Sequence, residues 1–173
     1  QLAMWERGRG HRLLAAGWDH DVNGPLVWDA SGDAVLLAAE DRGRRHLWRI
    51  DLESERATCV AEGGWVQGWG AHAGTMVVAA DSATHPVRVH AWREGEAPRR
   101  IESFNDRVLA GLRLGQHEEL WIRGAQGEPV QVWLFHPPGF DARKKYPLLQ
   151  VIHGGPHTSV GDNWHYRWNN AAF

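Results

Sequence analysis

Short apolar runs alternate with polar turns through most of this chain. The runs fall at residues 12–16, 34–39, 46–52, 75–80, 87–92, 119–123 and 130–136. Between them lie turn-formers such as Asp29-Ala-Ser-Gly-Asp33, Asp41-Arg-Gly43, Glu62-Gly-Gly64, His72-Ala-Gly74 and Gly124-Ala-Gln-Gly127. Glycine tolerates the positive φ of a tight turn, and Asp or Ser side chains hydrogen-bond the turn's own backbone. No long stretch with a 3.6-residue apolar period separates the runs. The pattern therefore predicts strands joined by hairpins over the first three quarters of the chain.

An internal repeat sharpens this. Trp28-Asp-Ala-Ser-Gly-Asp-Ala-Val35-Leu-Leu-Ala-Ala-Glu-Asp41 aligns without a gap with Trp69-Gly-Ala-His-Ala-Gly-Thr-Met76-Val-Val-Ala-Ala-Asp-Ser82, 41 positions further on. Leu47-Trp-Arg-Ile50 then falls in step with Arg88-Val-His-Ala91. A period of about 40–45 residues with four strands per unit is the range of β-propeller blades. A β-sandwich with two similar hairpins is the alternative. Two or three blades do not close a ring, so further residues are expected upstream.

The pattern changes near Pro137-Pro-Gly139. A strand with alternating side chains over residues 128–136 gives way to a polar turn region ending at Tyr146-Pro147. Residues 148–152 (Leu, Leu, Gln, Val, Ile) then read as a strand buried in a mostly parallel sheet. It breaks on His153-Gly-Gly-Pro156, and Trp164-His-Tyr-Arg-Trp168 is expected to open the first helix. Hairpin, turn, buried strand and diglycine turn, in that order, begin an α/β-hydrolase sheet. The expected fold class is mixed: partial β-propeller over residues 1–106, two to three blades, followed by the N-terminal part of an α/β-hydrolase domain over residues 107–173.

Composition narrows the chemistry. With 43% apolar and 23% charged residues the chain is globular in character. A net charge of −2 gives no electrostatic reason to expect nucleic acid or an anionic membrane surface. No run of 18 apolar residues predicts a membrane helix, and Gln1-Leu-Ala-Met-Trp-Glu-Arg7 shows no signal segment; the sequence assigns no compartment. The single cysteine, Cys59, excludes an intrachain disulfide and a cysteine-based zinc site. His153 and His157 are four apart, but the intervening Gly-Gly-Pro forbids the helix that would bring them onto one metal. Neither metal nor cofactor is expected. Eleven tryptophans against two tyrosines are expected to pack sheet faces and blade interfaces, with a stacking surface for carbohydrate or peptide as the lesser reading. The acidic groups Asp19/Asp21, Glu40-Asp41 and Glu118-Glu119 read as solvated turn carboxylates, and Asp41-Arg-Gly-Arg-Arg45 as a hairpin tip.

The diglycine turn is the candidate for catalysis. Glycines at a strand's carboxyl end leave backbone N–H groups open to another molecule, because no Cβ blocks the approach. Such donors suit an oxyanion hole. No attacking group accompanies them: Ser31, Ser54, Ser82, Ser103 and Ser159 all lack the Gly-x-Ser-x-Gly setting of a nucleophile elbow.

Trp121-Ile-Arg-Gly-Ala-Gln-Gly-Glu-Pro-Val-Gln-Val-Trp-Leu134, Pro137-Pro-Gly-Phe-Asp141, Lys145-Tyr-Pro-Leu-Leu149, His153-Gly-Gly-Pro156 and Gly161-Asp-Asn-Trp-His-Tyr-Arg-Trp-Asn169 together resemble the prolyl oligopeptidase family of serine peptidases. The acylaminoacyl-peptidase and dipeptidyl-peptidase branches are nearest. The resemblance is strong from Arg107 to Phe173 and moderate over the blades. It implies a propeller capping a hydrolase domain with the active site between them, and Ser-His-Asp acyl transfer on short peptides. The nucleophile would lie outside this chain, which alone would be inactive. It further implies that Gly155 donates its backbone N–H to the oxyanion and that His153 orients that turn. Trp164, Tyr166 and Arg167 are candidates for substrate contact. The implied partners are a peptide substrate and the remainder of the same polypeptide; a homo-oligomer is compatible with it, and no nucleic acid or membrane is implied. A non-catalytic propeller module for protein binding and an esterase on the same hydrolase fold are the alternatives.

Overall fold

A computed structural model describes residues 2–22, 24–155 and 159–172. Twelve strands form among them. A first hairpin pairs β1 (Leu2–Glu6) with β2 (Gly10–Leu14) as a sheet of its own. Next come β3 (Val27–Trp28), β4 (Ala34–Asp41), β5 (Arg44–Asp51) and β6 (Ala57–Ala61), an antiparallel meander. A second meander follows: β7 (Trp65–His72), β8 (Thr75–Ser82), β9 (His85–Arg93) and β10 (Arg99–Arg100). Among the described residues, the one strand pairing between the two meanders is the parallel pair Arg45↔Trp65. A short helix, α1 (Asp106–Leu109), leads to a last hairpin of β11 (His117–Arg123) and β12 (Pro129–Phe135).

The repeat read from the sequence is the repeat of the fold. β4 and β8 start 41 positions apart, as do β5 and β9. Each meander is a four-stranded unit of the kind that stacks radially in a propeller. The turns follow local chemistry. Arg42 and Gly43 (φ 48° and 67°) close β4–β5, and Ala73 and Gly74 (φ 47° and 75°) close β7–β8. Two successive positive φ values make the type I′ turn whose twist matches that of paired strands. At Asp29 the carboxylate Oδ1 accepts the Ser31 hydroxyl (2.7 Å) and the Gly32 N–H (2.9 Å), folding the Asp-Ala-Ser-Gly turn on itself.

β4 explains why the run at residues 34–39 lacks alternation. Successive side chains of a strand point to opposite faces, and here both faces are covered. Leu37 and Ala39 pack with Ile50 against Leu2 and Leu14 of the first hairpin. Leu36 and Ala38 pack with Leu47 against Val66 and Val78 of the second meander. Each unit thus uses its neighbour as the other half of its core. The tryptophans follow suit in part: Trp18 and Trp48 flank the first cluster, and Trp69 and Trp92 the second. Trp5, Trp28, Trp121 and Trp168 remain exposed.

Two expectations for the final third are corrected. Residues 148–152 form no strand: Leu148 is 84% and Ile152 80% exposed. A parallel-sheet strand needs neighbours along both edges and cover on both faces. Among the described residues none pairs with it, since β12 pairs with β11. Nor does Trp164-His-Tyr-Arg-Trp168 open a helix; one 3-10 turn follows at Asn170–Ala172. Nδ1 of His165 accepts the N–H groups of Arg167 (3.3 Å) and Trp168 (2.9 Å), and this local side-chain capture competes with a helical ladder.

Candidate active-site turn and the blade junction

The diglycine turn stands outside any strand ladder. His153, Gly154 and Gly155 are exposed, and the Nδ1 of His153 lies 2.9 Å from the Gly154 carbonyl oxygen. That contact requires the ring to donate from Nδ1, which places the histidine on the turn's own backbone rather than beneath it. Gly155 has φ of 130°, a conformation that residues with a side chain rarely adopt. The backbone itself thus demands glycine at this position. Pro156 and His157 lie outside the described residues.

Of the expected substrate contacts, Trp164 and Tyr166 meet edge to face with ring centroids 6.2 Å apart. Tyr166 is otherwise exposed, whereas Trp164 is half-buried and donates its backbone N–H to Asp81 Oδ1 at 3.2 Å. Arg167 does not join them. Its guanidinium sits 5.4 Å over the Trp168 ring, in solvent.

What the structure assembles most firmly is a junction that sequence reading did not single out. The tips of the β4–β5 and β8–β9 hairpins meet the β11–β12 hairpin and residues 160–164. The Asp162 carboxylate Oδ1 accepts the Ala83 N–H at 2.8 Å and lies 3.2 Å from His117 Nε2. The Asp162 N–H donates to the Gly43 carbonyl at 2.7 Å. Trp133 donates its indole N–H to the Val160 carbonyl at 2.9 Å, beneath the Arg44 guanidinium at 4.7 Å from its ring. Arg44 pairs with Glu119, and Gln131 donates to both the Arg42 carbonyl (2.7 Å) and Glu119 (2.9 Å). Glu119, expected to be a solvated turn carboxylate, is instead a bridge between a blade and the last hairpin.

The electrostatics match this packing. Burial pushes the Asp81 carboxyl above the ordinary carboxylate range, partly offset by hydrogen bonds from the Gln67 amide and the Trp164 N–H. Burial holds His85 below its ordinary value, partly offset by its contact with the Pro86 carbonyl and by Asp81 and Asp162. Arg44 holds the Glu119 carboxyl low, helped by Trp121 and Gln131. Burial raises the Cys59 thiol, which keeps it protonated and a poor nucleophile. Among the described residues no three His, Cys, Asp or Glu side chains cluster as metal ligands, and no helix is long and apolar enough to cross a membrane.

Known proteins are similar to this chain in sequence and in fold. A dipeptidyl-peptidase 5 of Schizosaccharomyces pombe is 42% identical over 77 residues, which cover 42% of this chain and 11% of that protein. A probable dipeptidyl-peptidase 5 of Arthroderma benhamiae is 29% identical over 163 residues, covering 90% of this chain and 22% of its own length. The chain therefore spans about a fifth of the length of that relative. Pyrococcus horikoshii acylaminoacyl peptidase superposes with a TM-score of 0.73 at 19% identity, over 91% of this chain and 24% of that one, a likeness of fold. No family model matches the chain. The fold defines a class: four-stranded antiparallel blades of a partial β-propeller, with a further hairpin docked on their tips. Within that class the chain is similar to dipeptidyl and acylaminoacyl peptidases, in line with the resemblance read from its sequence motifs.

Proposed function

We propose that this chain is the propeller–hydrolase junction of a serine exopeptidase acting on short peptides, with residues 1–106 as blades and 107–173 as the start of the catalytic domain. The observation that carries the reading is the diglycine turn, joined by six residues of chain to an aspartate seated on two blades. In this reading a serine elsewhere in the complete protein attacks the scissile carbonyl, and a histidine held by an aspartate takes its proton. The Gly155 N–H donates to the oxygen as it gains negative charge; one such donor is worth about 10²–10³ in rate. His153 fixes the turn's backbone through its contact with the Gly154 carbonyl. Trp164 and Tyr166 line the approach for the substrate, with Arg167 at its edge. The blades restrict access to small, unfolded peptides.

The names of the curated relatives favour substrates with a free amino terminus, released as dipeptides. Assaying the complete protein on an Xaa-Ala anilide, its N-acetylated counterpart and a p-nitrophenyl ester separates the readings. Cleavage of the free dipeptide anilide is expected. Cleavage of the ester alone would mark an esterase, and cleavage of none would leave a non-catalytic propeller module.

A further inference from the structure

We infer that Asp162 is a positioning residue that holds the diglycine turn in place by gripping equivalent hairpin tips on two successive blades; this rests on the oxyanion role proposed for Gly155. The two contacts of Asp162 are related by the repeat. Its carboxylate takes the N–H of Ala83, which is the counterpart, 41 positions on, of Arg42 at the earlier tip. Its own N–H goes to the carbonyl of Gly43, whose counterpart is Thr84. One residue therefore reads a donor on one hairpin tip and an acceptor on the tip of the next blade. This fixes the segment in two directions at once.

The neighbours of Asp162 leave it little freedom to lie elsewhere. Gly161 is buried with its Cα against the Trp65 ring, and an added Cβ would overlap that ring and press on the Gly43 carbonyl. Val160 is held by the Trp133 indole, and Trp164 by Asp81. His117 of β11 meets the same carboxylate oxygen at 3.2 Å and stacks on Phe135 of β12. Only six residues, seven Cα–Cα steps, separate Gly155 from this anchor, a tether of at most about 25 Å. None of residues 160–164 belongs to either blade core. Losing the grip should therefore release the turn while the blades stay folded. A displacement of about 1 Å at a reacting centre costs on the order of 10²-fold in rate.

The test uses the complete protein with three substitutions: Asp162→Ala, Asp162→Asn and Gly161→Ala. Asparagine keeps an oxygen for the Ala83 N–H, whereas Gly161→Ala keeps the carboxylate but wedges the segment off Trp65. Hydrogen exchange of a peptide covering residues 149–155 should rise about 10-fold or more in Asp162→Ala and Gly161→Ala, with β4 and β5 unchanged, and stay near wild type in Asp162→Asn. On a peptide anilide, kcat should fall about 10–100-fold in the first two with KM within about twofold, and recover in Asp162→Asn. Unchanged exchange at residues 149–155 in both Asp162→Ala and Gly161→Ala would overturn the proposal, whatever the activity. So would equal losses in Asp162→Ala and Asp162→Asn. If the wild-type protein cleaves no substrate, the exchange result still judges the grip, and only the peptidase reading falls. If Asp162→Ala unfolds β4 and β5, Gly161→Ala and Asp162→Asn decide alone.

Discussion

In the two blades every strand finds its partner next along the chain, whereas residues 148–152 find none. The blade strands are joined by turns of a few residues, so pairing closes short loops and costs little chain entropy. Their apolar faces are met by the adjacent blade. The segment at 148–152 is as apolar as β4 but stands exposed, with no described strand beside it. Apolar character alone thus marks what wants burial. Whether it is buried depends on where the partner lies in the sequence.

Core truncations should separate the two regions most sharply. Leu37→Ala or Leu47→Ala, both fully buried, should lower the free energy of opening β4–β5 by about 2–5 kcal/mol, read from amide exchange. Leu148→Ala in the 173-residue chain should change it by less than about 0.5 kcal/mol. Next in size is Gly64→Ala in the link between the blades. Gly64 has φ of 60°, and an added Cβ would run into the Asp81 carbonyl. A loss of about 2–4 kcal/mol is expected from strain and displacement together, measured by exchange in β7 and β8.

These contrasts also show what could be read in advance. The 41-residue repeat was legible because β4 and β8 share an apolar run and a turn in step. β7 was harder to see, since Gly68 and Gly70 interrupt its apolar pattern, and β6 because Cys59 and Val60 are its only large apolar residues. The diglycine turn announced itself through residue type. The junction did not: Asp162, Asp81, His117 and Arg44 are scattered through the sequence, and each looks like an ordinary surface polar group. Only the hairpin tips bring them together. The one local hint was Gly161-Asp162, a glycine with no turn to explain it, needed for close approach to Trp65.

Smaller effects distinguish the junction from the blades by pH. The Asp81 carboxyl is pushed above 3.8 by burial, so the folded state holds its proton to higher pH than the unfolded chain. The stability this contributes is full below about pH 3.8 and is lost as pH rises through the raised value. Asp81→Asn should therefore be more stable than wild type at neutral pH, and the advantage should vanish in acid. Thermal melts across pH 3–8 check this. The opposite sign applies where the second blade ends. Arg100 draws the Glu102 carboxyl down from 4.5 to about 2, so that pair contributes in full above pH 4.5 and loses this progressively as pH falls from there through about 2. A carboxyl titration by NMR should place Glu102 near 2, returning toward 4.5 in Arg100→Ala.

The most direct test is the rate at which a fluorophosphonate labels the complete protein, with Gly155 and with Gly155→Ala. Alanine cannot hold φ at 130° without strain, so its N–H should swing away from the oxygen it is proposed to serve. Labelling of one serine outside residues 1–173 is predicted, slowed about 10²–10³-fold by the substitution. A protein that takes no label, or one that reacts equally fast with alanine at position 155, would contradict the account.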